Sequence, residues 1–130
     1  MAQQPVEMIL IRQWAAHLAS SVWLMDAAGN LLYYNEPAEE ILGLRFDEAG
    51  EIHADDLTEL FHASNLDGSP LANDELPVVK ALLSQVPTHG QVRIRNRIGE
   101  WRHIEVTALP VVAAENNLLG VIAIFWEISQ

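Results

Sequence analysis

The densest group of chemically capable side chains in this 130-residue sequence is Glu51-x-His53-x-Asp55-Asp56-x-x-Glu59-x-x-His62. Imidazole and carboxylate together make the nitrogen–oxygen set that suits divalent transition metals. His53 and Asp55 fall in a loop and His62 at the end of a short helix, and nothing in the spacing makes three of them converge. The plainer reading is an acidic, solvated loop whose aspartates cap a helix. No metal site is assigned to it.

Other catalytic chemistry is poorly provided for. The chain has no cysteine, which removes disulfides, thiolate metal sites, iron–sulfur clusters and cysteine nucleophiles together. There is no G-x-S-x-G turn to raise a serine nucleophile. The seven glycines are scattered turn residues and form no phosphate loop. Glu39-Glu40 and Asp55-Asp56 lie at helix starts, where the helix dipole lowers a carboxyl pKa, the opposite of what a general acid needs. The domain is read as non-catalytic.

Arg93, Arg95, Arg97 and Arg102 form a basic stretch with only Glu100 among them, whereas residues 26–75 hold thirteen carboxylates and one base, Arg45. The arginines alternate with Val92, Ile94 and Ile98, so they are expected on the solvent face of a strand. There they either dock an anionic partner or blunt the strand against edge-to-edge pairing. The net charge of −11 repels phosphate backbones and anionic lipid, so neither nucleic acid nor a membrane is expected as partner. The longest apolar run, Leu118 to Trp126, is far short of the ~20 residues that span a bilayer. The start of the chain shows no targeting segment, and a cytoplasmic location is expected.

With 50% apolar and 19% charged residues, the chain has the size and composition of one globular domain. Residues 5–19 carry Val6, Leu10, Trp14 and Leu18 four apart, with Met8, Ile11 and Ala15 beside them. This predicts an amphipathic helix whose apolar arc is too broad for one neighbour. Strands are expected at 22–25 and 31–34, joined by a tight turn at Gly29-Asn30. Asn35 is placed as the N-cap of a helix over 36–42 that Gly43 closes, a cap whose loss would cost about 1 kcal/mol. A second short helix spans 55–63, and Asn73 starts a longer one to about Val86, its buried face being Leu76, Val79, Leu82, Leu83 and Val86. Three strands follow. The last, Leu118–Ile128, is apolar on both faces and therefore central.

These pieces resemble the PAS (sensory box) domain family over residues 18–129. The resemblance is carried by Asp26-x-x-Gly29, LLYYN ending at Asn35, PAEEILG ending at Gly43, DGSPL and ELPVVKAL. It continues through Trp101, Glu105-Val-Thr, Pro110, Gly120 and Phe125-Trp-Glu-Ile-Ser129. It implies an α+β fold: a five-stranded antiparallel sheet in the order 2-1-5-4-3, with helices on one face and the N-terminal helix on the other. Residues 1–20 are then a flanking helix and 21–130 the domain. The implied role is a sensory and interaction module of a bacterial-type signalling protein, such as a sensor kinase of a two-component system, a cyclase or a transcription regulator. An effector domain or partner signalling protein would receive the output. The alternative is a small cone-fold enzyme or carrier with an apolar pocket, which needs a histidine or an acid pointing into the hollow.

The resemblance does not name a ligand. A flavin–cysteine photoadduct or a thiol-linked chromophore needs a cysteine, and residues 73–86 offer no histidine for haem. Trp23, Trp101 and Trp126 are compatible with a stacked flavin, though core and interface packing explains them more simply. The cofactor stays unknown, either none or a small apolar ligand. The expected ligand pocket is Leu57, Phe61, Val79, Leu82, Leu83, Ile94, Val106, Ala123 and Phe125. The output is expected through Glu127, Ile128 and Ser129. Trp126 would face out with Ile122 and Ile124, covered by the Val6–Leu10–Trp14–Leu18 stripe. Met8, Ile11 and Ala15, with Trp14 and Trp126, are then expected in a homodimer interface.

Overall fold

The computed structural model describes residues 5–128. Ser129, one of the expected output residues, lies outside them. The element order is α1 (Val6–Ala15), β1 (Ser21–Asp26), β2 (Leu31–Tyr34), α2 (Glu36–Leu42), α3 (Phe46–Ala49), α4 (Leu57–Phe61), α5 (Pro77–Ser84), β3 (Thr88–Arg95), β4 (Trp101–Ala113) and β5 (Asn117–Glu127). The strands form one antiparallel sheet in the order β2-β1-β5-β4-β3.

The centre of the sheet follows from alternation. On β5, Val121, Ala123 and Phe125 enter the core under α2, α4 and α5, while Ile122 and Ile124 pack on the opposite side with Val22 and Leu24 of β1. A strand with two apolar faces needs cover on both, and α1 supplies the second. The β1–β2 turn closes on Asp26, whose Oδ1 accepts from the N–H groups of Ala28 and Asn30, both at 2.9 Å. Gly29 takes φ +90° there, a conformation that favours glycine.

α1 sits the other way round from expectation. Met8 and Ala15 are buried and Ile11 packs beside them, whereas Val6, Leu10 and Trp14 are exposed. Both stripes repeat at helical spacing, so apolarity alone does not choose between them. The sheet chooses. Gly120 leaves a notch on β5 in which a Cβ would lie 2.7 Å from Met8 Cε, so the Met8 side chain occupies the space that a larger residue would fill. The small Ala15 lets the end of the helix approach the sheet. The helix also stops at Ala15 instead of Ala19, with Leu18 still packed on the same cluster from a turn.

Two further boundaries move. α5 starts at Pro77, because the residue before a proline is held out of the helical region and Leu76 is extended at ψ 136°. β3 ends at Arg95 and not at Ile98. The buried Asn96 turns the chain instead, its Oδ1 accepting from Ile98 N at 3.2 Å and Glu100 N at 2.9 Å.

Candidate functional site

Between the sheet and the helices lies an apolar hollow of about 80 Å³, walled by Trp23, Leu42, Leu57, Phe61, Ala63, Leu76, Pro77, Val78, Val92, Ile94, Ile104, Val106, Ala123 and Phe125. Of the expected pocket residues, Leu57, Phe61, Ile94, Val106, Ala123 and Phe125 are brought together there. Three on α5 are not. Val79 is buried in the core but outside the wall, Leu82 packs at the core's margin, and Leu83 is 68% exposed. The reason is helical phase. With Leu76 extended and Pro77 first in the helix, Pro77, Val78 and Ala81 turn inward, and the stripe that starts at Leu76 and Val79 does not continue to Leu83.

Trp23 anchors the wall. Its ring stacks on Tyr34 at 5.4 Å with planes 3° apart and meets Phe61 edge-on at 6.4 Å. Its indole N–H is buried without a hydrogen-bond partner among the described residues. The Tyr34 hydroxyl donates to Leu44 O at 2.7 Å. Burial, and then the nearby Glu39 and Asp47, push the Tyr34 hydroxyl up to about 12. Alternation on β1 marks Trp23 and Met25 as sharing one face, but both faces of β1 are apolar, so the sequence pattern does not say which one sees the hollow.

Phe125 leads from the hollow to the end of the last strand. Two residues on, Glu127 accepts two hydrogen bonds from Arg102 Nη1, at 2.7 and 2.9 Å, while Arg102 Nη2 reaches Glu100 at 2.7 Å. Those carboxylates hold the guanidinium pKa up, Glu127 more than Glu100. Hydrogen bonds from Arg102 and then Asn96 hold Glu100 below the usual carboxyl range. Asn96 Nδ2 also donates to Ile41 O at 3.2 Å, so the cluster reaches the end of α2. Ile128 N continues the ladder to His103 O at 2.8 Å. Half-exposed ion pairs contribute at most about 1 kcal/mol each. What this one fixes is where the strand end lies.

The arginines do not form one face. Arg102 is the cross-strand partner of Ile94 and shares its face, while Arg93 and Arg95 project on the other. Arg93 lies over the Trp101 ring at 4.0 Å. Arg97 belongs to the turn after β3. The expected acidic and histidine-bearing loop does not converge either. His53 Nε2 bonds Ala28 O at 2.8 Å and its Nδ1 accepts from Asp55 N at 3.1 Å, which closes the loop onto the first hairpin. His62 is an exposed helix end. Among the described residues no three histidine, aspartate or glutamate side chains gather as metal ligands.

The outer face of the sheet is half covered. α1 lies over β1 and β5 and packs with Leu32 and Tyr33 of β2, which leaves Trp101, Leu109 and Trp126 exposed on β4 and β5. Of the residues expected in a dimer interface, Met8 and Ala15 are buried within the chain itself and Ile11 packs with them. Trp14 and Trp126, 53% and 45% exposed, remain open.

A family model described as "PAS domain" matches residues 19–130. Solved structures are also similar. The PAS domain of a protein from Colwellia psychrerythraea aligns at 17% identity and TM-score 0.64, over 94% of this chain and 97% of that one. The PAS domain of nitrogen regulation protein NR(II) from Vibrio parahaemolyticus aligns at 18% and 0.63, over 92% and 98%. The Rhodobacter sphaeroides LOV protein aligns at 14% and 0.74, over 97% and 70%. At these identities the likeness is one of fold. No curated protein matches the chain.

Proposed function

The chain belongs to the PAS domain family, and on that premise we propose that it is a non-catalytic sensory and interaction module of a signalling protein. A change in the hollow would pass along β5 to Glu127 and from there to an effector domain or partner. One observation carries this reading: Ala123 and Phe125 wall the hollow, and Glu127, the next residue on that face, is held by Arg102. An input in the hollow can bias the strand end only if it binds two arrangements of that strand with different affinity.

The same reading assigns residues 1–20 to a flanking helix, 21–130 to the domain, and the setting to the cytoplasm. No helix among the described residues is long and apolar enough to cross a membrane. A homodimer fits it as well, keeping Trp14 and Trp126 of the expected interface but with Val6 and Leu10 in place of Met8, Ile11 and Ala15, which pack within the chain. Val6, Leu10 and Trp14 of one copy would cover the bare half-sheet around Trp126 of the other. The cone-fold enzyme reading has little support, since the wall of the hollow carries no titratable side chain.

Hydrogen exchange tests the coupling. Ala123→Leu, a change inside the hollow, should alter protection of the Ile128 N–H, five residues along the strand. If exchange at Ile128 is unchanged in a folded Ala123→Leu protein, the hollow does not speak to the strand end and the sensory reading fails.

A further inference from the structure

We propose that the input is a small, uncharged, apolar molecule, the size of a dissolved gas or of a hydrocarbon with a few carbons. The proposal rests on the sensory reading above and names the ligand class of the same hollow. Its volume, about 80 Å³, is roughly half the ~150 Å³ that accommodates benzene or xenon in a cavity lined by leucine, isoleucine and phenylalanine. A flavin or haem ring system is several times too large for it.

The chemistry of the wall narrows the class further. Fourteen side chains line the hollow and only one, Trp23, carries a heteroatom. That indole nitrogen is itself buried and makes no hydrogen bond among the described residues. Water needs two to four polar partners to stay in a cavity, and this wall does not supply them. A carboxylate or phosphate would sit there uncompensated, at a cost that excludes it. An apolar guest gives up no hydrogen bond on entry and restores the dispersion contacts that a void forfeits. Ala63 and Ala123, the smallest wall residues, hold the space open. A guest against Ala123 touches the strand that carries Phe125 and Glu127.

Methyl NMR of the intact chain under xenon, and separately under isobutane, reads the binding directly. Saturable shifts are expected at the methyls of Val92, Ile94, Ile104 and Val106, with none from succinate at equal concentration. Ala123→Leu, which fills the hollow, should weaken the apparent affinity at least about tenfold, or 1.4 kcal/mol. Ala63→Val serves the same purpose should the larger change prevent folding. Xenon shifts without isobutane shifts point to a gas-sized guest, and shifts from both to a hydrocarbon. The proposal is overturned by no saturable shift with either gas, by shifts that persist unchanged in the filled variant, or by cavity shifts with succinate. If the gases fail while Ala123→Leu still alters exchange at Ile128, the ligand class falls and the sensory reading stands.

Discussion

The side-chain amide of Asn35 donates to the carbonyl oxygen of Ala15 at 2.9 Å, and so ties the end of α1 to the junction between β2 and α2. The same nitrogen donates to Ser20 O at 2.8 Å, and the amide oxygen accepts from Val22 N at 3.0 Å and Ala38 N at 3.3 Å. The helix cap is one of four bonds made by a buried side chain.

Asn35→Ala should therefore cost about 3 kcal/mol, because the lost cap is joined by buried backbone groups left without partners. Asn35→Asp separates the two roles. Aspartate caps helices as well as asparagine does, but here it would turn an acceptor toward the Ala15 and Ser20 carbonyls. Urea unfolding should show both variants destabilised. An aspartate variant as stable as wild type would reduce the residue to a cap.

Gly120→Ala should loosen the N-terminal helix. The new Cβ would press on the Met25 carbonyl oxygen and lie 2.7 Å from Met8 Cε. Backbone cannot yield as a side-chain tip does, and overpacking of this kind costs about 2 kcal/mol. Faster hydrogen exchange across residues 6–15 is expected, and an alanine variant with α1 still fully protected would contradict the docking.

Glu100 should titrate below an ordinary glutamate, since Arg102 and Asn96 favour its charged form. A lowered folded pKa means that its contribution is present above the unfolded value of about 4.3 and lost as pH falls through the folded one. Carboxyl carbon NMR should show this midpoint, and Arg102→Ala should move it upward. A midpoint indifferent to Arg102 would mean that the pair does not persist in solution.

Tyr34 sets an alkaline limit. Its pKa of about 12 exceeds the ordinary ~10, so the stability it confers is intact below pH 10 and lost as pH rises toward 12. Phenolate absorbance should show one tyrosine that ionises only near pH 12 or together with unfolding. A Tyr34 that titrates at 10 in the folded protein would place its hydroxyl in water.

The proposed homodimer would rest on Trp14. Light scattering at micromolar concentration should give twice the chain mass for wild type and the chain mass for Trp14→Glu, which puts a charge on the exposed stripe. A monomeric wild type removes the dimer. The variant should unfold with the stability of wild type once dissociation is accounted for, because Trp14 is half-exposed in the chain.

Much of this fold was legible because period-2 alternation and capping chemistry act locally. The centrality of β5 and the Asn35 cap of α2 follow from such signals, whereas the full order β2-β1-β5-β4-β3 was what the family resemblance implied. Five residues of the wall, Leu57, Phe61, Ile94, Val106 and Ala123, came from alternation or from helix spacing that starts at a clear boundary, and Phe125 came from the family resemblance. The failures share a cause. Leu83 was misplaced because Pro77 resets the helical phase, and Ile98 because Asn96 builds a turn inside an apparently alternating strand. The two stripes of α1 were exchanged because only the notch at Gly120, more than a hundred residues later in the chain, distinguishes them. Trp23 and Val78 were missed in the wall because apolar residues adjacent on both faces carry no period.

Ser21 pairs with Phe125 across β1 and β5. The chain therefore enters and leaves the sheet at the same end of two neighbouring strands. Tension between the flanking segments would not shear these strands past each other. It would unzip them, one hydrogen-bonded pair at a time, from the end that Asn35 and the Arg102–Glu127 pair secure on either side. Under load the two fastenings act as a clasp, and the domain should yield at low force once either is cut.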